Sequence, residues 1–355
     1  MKNKKLFVEI HALQNAGASC INRDDTGAPK TLVYGGTERM RVSSQAWKHA
    51  MRRYMKYDLK DPIGIRTADV GKLLRDAIAQ KNPSLKEKAL IDTVKNTLKE
   101  IGLDKLNGTT IIPISETQIN NIAELAAQGC KDGKAYMEAM VSNPPLDVCL
   151  FGRMIASSKK GAMDYANVDA SAQIAHAFST NAVVPQTDFF TATDDITENA
   201  GAAYLDSREF TSGVLYRYGN VAVHALKETY EGTDEHIAKA IRDYVEAFLY
   251  SMPTGMQNSF ANRNIPYAVY VDFRTDFPIS MADAFEKPVF TNGEGYMERS
   301  AQRFSAHVKK MEEMIKKPDE VLIAGIGFEK LGNKLALGDL FDQVERYVKE
   351  YLTEK

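Results

Sequence analysis

Two stretches of this chain alternate with a period of two, and a helical stretch lies between them. Val214, Tyr216 and Tyr218 alternate against Leu215 and Arg217, while Tyr267, Val269, Val271 and Phe273 share one side. A period of two is the mark of a strand, and residues 233–251 between them carry a helical pattern. A chain with this alternation must build a sheet with helices packed on it. Further segments continue the pattern. LFVEIHA (6–12) reads as a strand, and Ser43 or Ser44 opens a helix with Trp47, Met51, Tyr54 and Met55 on its apolar side. After Pro144-Pro145, the alternation of Leu146, Val148 and Leu150 reads as a strand, and residues 170–178 as a short helix. A polar helix at 297–316, the strand VLIAGIG and a terminal helix near 338–353 close the series. Both α/β winding and a split βαβ sheet with helices on one face fit this order.

Two regions fall outside the series. Three helical stretches fill roughly 67–141 after the Asp61-Pro62 break, the third with a capping box from Ser115 to Gln118, and read as a helical insertion. Residues 180–212 show no sustained period and are rich in Thr, Asp, Ala and Gly, which marks a functional loop or an extended arm.

Composition narrows the function. At 355 residues, with 44% hydrophobic and 26% charged residues, the chain is long enough for a sizeable core and is neither disordered nor fibrous. A net charge of −2 gives no global pull toward nucleic acid or membrane, so any polyanion site must be a local concentration of Lys and Arg. Three Cys without C-x-x-C spacing argue against a disulfide framework or a zinc ribbon. Glu9 and His11 cut the apolar run of the N-terminus too short for a signal peptide, and no apolar run is long enough to span a bilayer, so a cytoplasmic protein is expected.

The strongest local signal is basic. From Arg39 to Lys56 there are six Lys or Arg (Arg39, Arg41, Lys48, Arg52, Arg53 and Lys56) and no acid. Lys48, Arg52 and Lys56 stand at i, i+4 and i+8, one stripe on a helix, where like charges repel unless an anion relieves them. Ser43, Ser44 and Gln45 sit at the helix N-terminus, whose free N–H groups favour phosphate. Arg23 and Lys30 in the preceding loop are placed to converge there. A solvated helix face is the plain alternative; the absence of acids over eighteen residues weighs against it. A second signal is apolar side chains in breaker-rich segments: Met154 after Gly152-Arg153, and Phe189-Phe190 within the arm. Such groups stack on or wedge between bases, though taken alone they are better explained by packing of the arm on the body.

Catalytic patterns are weak. Ser157–Lys160 contains S-x-x-K without its partner motifs, and Gly325-Ile326-Gly327 lacks the third glycine, since Lys330 stands there. Asp24-Asp25 and Asp194-Asp195 read as turn formers and caps before metal ligands, no pair of acids has metal-site spacing, and His176 reads as a buried residue of an apolar helix. No metal, cofactor or catalytic residue is expected.

The segment SCINRDDTGAPKTLVYGGTERMRVSSQAWKHAMRR closely resembles the N-terminal signature of the CasC family, the repeated CRISPR-RNA-binding backbone subunit of the type I-E Cascade complex. That signature is Cys-x-Asn-Arg-Asp-Asp, then Gly-Gly, then Arg-x-Arg-x-Ser-Ser-Gln, then Lys and Arg on a helix. Further matches follow in order: Gly152-Arg153-Met154, DASAQIAHAFST (169–180), DFFTATDD (188–195), REFTSGVLYRYGN (208–220) and PISMADAFEKPV (278–289). Residues 60–141 and the last part of the chain match only loosely.

The resemblance implies an α+β fold: a modified RRM-like (ferredoxin-like) palm, a helical fingers insertion and an extended thumb arm. The palm would comprise 1–59, 144–179 and 213–355, the fingers 60–143 and the thumb 180–212. Copies would stack along CRISPR RNA, kink it at regular intervals and leave it free to pair with target DNA, alongside other Cascade subunits and away from any membrane. Arg23, Lys30, Arg39, Arg41, Ser43, Gln45, Lys48, Arg52, Arg53, Arg153 and Met154 are the expected RNA-binding set, with Met154 wedged against bases. Phe189, Phe190 and Thr191 are the expected thumb residues; the Phe pair stands where a relative has Trp-Phe. Met256-Gln257 stand where a relative has Lys-Gln. The rival readings are a metal-dependent nuclease or RNA-processing enzyme and a generic single-strand binder.

Overall fold

The computed structural model of the chain describes residues 5–105, 109–155, 164–192, 196 and 204–354. It is a mixed α+β structure that divides into two compact units, one of 1–54, 174–221 and 241–354, the other of 55–173 and 222–240.

The first unit is built on a sheet. Its strands run in the order Asn333–Lys334, Glu320–Gly325, Ala268–Arg274, Phe7–Asn15, Val214–Ala222, Ala177–Ser179, Thr37–Val42 and Thr31–Tyr34. The Phe7–Asn15 and Ala268–Arg274 strands are antiparallel, with Phe7 opposite Arg274, Glu9 opposite Asp272 and His11 opposite Tyr270. These two strands are buried almost end to end, so both faces of the sheet are covered. Arg217 shows one face: its guanidinium lies 3.6 Å from the Trp47 ring centre and 4.5 Å from that of Phe248, which places the Ser44–Tyr54 and Asp234–Tyr250 helices there. Its neighbours Tyr216 and Tyr218 face the other side with His11, Tyr270 and Phe304, under the Met297–Met311 helix. Helices thus cover both faces, where the sequence also allowed one bare face.

The second unit packs the helices Val70–Lys81, Glu87–Glu100, Glu116–Ala127 and Gly133–Val141 around Leu74, Ile78, Leu90, Val94, Ile119, Ile122 and Met140. The Gly133–Val141 helix and a small ladder of Ile65–Thr67 on Ile112–Ile114 were not legible in sequence. The capping box is present: Ser115 Oγ accepts the Gln118 N–H, and the Gln118 side chain accepts the Ser115 N–H and donates to the Met140 carbonyl. Residues 60–143, the expected insertion, lie in this unit, and 144–173 cluster with it.

Three sequence expectations are corrected. Residues Leu146–Phe151 form a helix, not a strand. Three alternating apolar residues do not separate a strand from a buried helix, and here Pro145 supplies the extended N-cap while Gly152, at φ 80°, ends the helix. Residues 170–178 are not helical: Ala172–Ile174 and Ala177–Ser179 are strands, and Phe178 pairs with both Tyr216 and Arg41. Alanines at 170, 172, 175 and 177 fit neither period cleanly, and pairing with the strands on either side decides the outcome. The arm contains an antiparallel hairpin, with Gln186 opposite Phe210 through Ala192 opposite Tyr204. Its burial pattern is nearly all exposed, so no apolar stripe announced it.

Candidate nucleic-acid interface

The loop from Ser19 to Lys30 is a framed structure. Asp24 Oδ1 accepts hydrogen bonds from the Thr26 N–H (2.9 Å), the Thr26 hydroxyl (2.7 Å) and the Ala28 N–H (3.0 Å). Those bonds, the Thr26 hydroxyl first, hold its carboxyl below the usual range. Asp24 is therefore a turn former, as a loop aspartate usually is. The Asn22 carbonyl accepts the Lys30 N–H, the Lys30 carbonyl accepts the Arg41 N–H, and Asn22 Oδ1 accepts the Ser43 N–H. Backbone bonds thus tie the loop to the strand that leads into the Ser44–Tyr54 helix.

At that helix start Ser43 Oγ accepts the Ala46 N–H (3.3 Å), the capping role its sequence position predicts. The Ser44 N–H donates to Nδ1 of His176 (3.2 Å), which is exposed and not a buried helical residue as its apolar neighbours suggested. Partial burial, then the nearby charges of Arg41 and Lys30, hold this imidazole below its ordinary pKa. Two cations thus lie beside the imidazole at the helix start, which suits phosphate oxygens. Arg41 and Lys30 are half-buried, Arg23 and Gln45 exposed, Lys48 and Arg52 half-buried along the helix and Arg53 exposed.

Two expected RNA-binding arginines are not at the surface. Arg39 is fully buried, and its guanidinium donates to the carbonyls of Ser179, Thr180, Phe285 and Glu286 and to the Thr37 hydroxyl. It cross-links strand and loop backbones and has no face to offer a phosphate. Arg153 is 2% exposed and donates to the carbonyls of Ala166 (2.6 Å) and Pro113 (3.2 Å), a structural clamp within the helical unit. Met154, next to it, is 84% exposed, as a wedge must be. In sequence both arginines sit among other expected binding residues; only the backbone around them reveals their carbonyl partners.

On the hairpin, successive residues point to opposite faces. Phe189 is 70% exposed, while Phe190 is half-buried against the Arg208 guanidinium (4.8 Å) and the Tyr204 ring (6.3 Å between centres); Thr191 is exposed. Arg208, Met256, Arg23 and Gly27 line a cleft of about 590 Å³ between the framed loop and the hairpin. Arg208 is a residue the sequence analysis did not single out, and His176 one it assigned to a buried helix; both lie inside the matched motifs. Asp194, Asp195 and Ser157–Lys160 fall outside the described residues.

A family model described as CT1975-like protein, a Cas family, matches residues 8–335. The chain belongs to this CT1975-like family. Among solved structures, a chain of a "CRISPR RNA-guided surveillance complex, pre-nicking" is similar at 29% identity and a TM-score of 0.84, over 96% of this chain and 100% of that one. A chain of another "CRISPR RNA-guided surveillance complex" is similar at 28% identity and a TM-score of 0.65, over 96% of this chain and 99% of that one. No curated protein matches the sequence. No helix among the described residues is long and apolar enough to cross a membrane.

Proposed function

We propose that this protein is a non-catalytic backbone subunit of a type I-E surveillance complex, which polymerises along CRISPR RNA and grips its phosphates. The convergence of Lys30 and Arg41 beside His176 at the helix start carries the reading, because it offers positive charge without a base-reading pocket. Arg23, Gln45, Lys48, Arg52 and Arg53 extend that grip along the helix and the framed loop. Spacer sequence varies, so a scaffold must hold the strand without reading it. Membership of a Cas family and likeness to chains of surveillance complexes support the CRISPR-RNA role; the Cys20-to-Arg53 signature supports type I-E.

In this reading Met154 and the thumb residues Phe189, Phe190 and Thr191 kink the guide, the hairpin of one copy pressing on RNA held by its neighbour. The guide then pairs with target DNA in short segments, and other Cascade subunits complete the complex in the cytoplasm. The test is to purify the protein with a CRISPR RNA and image the product. A regular array of copies along the RNA supports the backbone role; single protomers on RNA of any length reduce it to a generic strand binder.

A further inference from the structure

Beneath the Met297–Met311 helix, three ligating side chains converge in the sheet interior. Glu9 and Asp272 are cross-strand partners, and His11 stands two residues along on the same face. Each is at most 1% exposed. Glu9 Oε2, His11 Nε2 and Asp272 Oδ1 all lack a hydrogen-bond partner among the described residues. They nevertheless lie within 4.8 Å of one another, with His11 Nε2 3.9 Å from Asp272 Oδ1.

The remaining atoms explain the aim. Glu9 Oε1 accepts from the Tyr218 hydroxyl (2.5 Å) and the Ile279 N–H (2.7 Å), which leaves Oε2 turned inward. His11 Nδ1 pairs with the Tyr216 hydroxyl (2.9 Å), itself fixed by the Met281 N–H (3.0 Å), so Nε2 points at the carboxylates. A second hydrogen bond of this kind orients metal-bound histidines. Arg274 pairs with Glu9 Oε2 at 3.7 Å but spends its hydrogen bonds on Asp276 and on the carbonyls of Phe277 and Lys316, so one guanidinium serves two buried acids.

We propose that Glu9, His11 and Asp272 hold one divalent transition-metal ion, Zn²⁺ by preference, which pins the two central strands together. Ligands about 2.1 Å from a tetrahedral zinc stand about 3.4 Å apart, so the three atoms need contract only slightly. The imidazole disfavours Mg²⁺ and Ca²⁺, which take oxygen ligands. The aromatic rings of Tyr218, Tyr270 and Phe304 pack around His11 and shield the site, so an ion held there is out of reach of substrate.

The test uses the full chain from zinc-supplemented medium. Plasma mass spectrometry should find about one zinc per chain. The isosteric Asp272→Asn and Glu9→Gln should lose it while keeping a native circular-dichroism spectrum. Zinc retained in both variants places it elsewhere and overturns the proposal. In case the variants misfold, the wild type is unfolded in guanidinium with a chelator and refolded with or without Zn²⁺. A melting temperature raised by several degrees with zinc supports the site; identical melting in zinc and chelator overturns it and leaves three buried groups sharing protons.

Discussion

The start of the Ser44–Tyr54 helix and the Gln186–Phe210 hairpin both present side chains to solvent, but they are built differently. At the helix start a cap, a framed loop and the His176 bond fix backbone and cations together. The hairpin strands pair with each other, carry mostly exposed residues and stack Arg208 on Phe190. The first region suits affinity, since fixed cations meet phosphates at little ordering cost. The second suits shape: the exposed Phe189 on the hairpin is placed to act as a wedge. Changes to the frame should therefore act through stability and grip, and changes to the hairpin through the form of the bound strand.

The largest expected effect lies under the helix start. Arg39→Ala removes a buried guanidinium that donates to four backbone carbonyls, so stability should fall by about 3 kcal/mol in urea unfolding. The remaining folded protein should bind RNA as before; a specific loss of RNA affinity at unchanged stability would return Arg39 to the interface. On the hairpin side, Phe189→Ala and Met154→Ala should leave the guide RNA content of the assembled complex intact. They should weaken pairing with matched target DNA by about 2 kcal/mol, the scale of one stacked base. Phe190→Ala should do less, because that ring is engaged by Arg208. Guide RNA lost with target binding unchanged would make these side chains affinity platforms and erase the distinction between the regions.

Smaller effects sharpen the contrast. Ser43→Ala removes the cap and should cost about 1 kcal/mol of stability, read from the denaturation midpoint. Asp24→Ala should change no chemistry, because its carboxylate is committed to the Thr26 turn. RNA and DNA should stay intact with Mg²⁺ or Mn²⁺ in both proteins, and metal-dependent cleavage abolished by this substitution would promote the nuclease reading.

The legible parts of the fold were those whose pattern is local. The strands around Tyr216 and Val269 and the Ser115–Gln118 capping box appear where their spacing puts them. Leu146–Phe151 and 170–178 misled because a few small or apolar residues fit either period; Pro145 and Gly152 bound the first as a helix, and neighbouring strands claim the second. The capping role of Ser43 and the exposure of Met154 agree with their cap position and breaker-rich surroundings. The burial of Arg39 and Arg153 was not legible, because their carbonyl acceptors come from elsewhere in the chain. The Glu9–His11–Asp272 cluster was hidden for the same reason: strand register alone brings residue 272 to residue 9.

The central claim is that fixed cations beside the Ser44–Tyr54 helix grip RNA phosphates whatever the base sequence. It is tested most directly by the salt dependence of RNA binding, wild type against Lys48→Ala with Arg52→Ala, on several unrelated single strands. The double mutant should bind all of them more weakly by the same factor, with a log–log slope shallower by about 0.7 per lost phosphate contact. An unchanged slope with the circular-dichroism spectrum intact would contradict the claim and make the helix stripe an ordinary solvated surface.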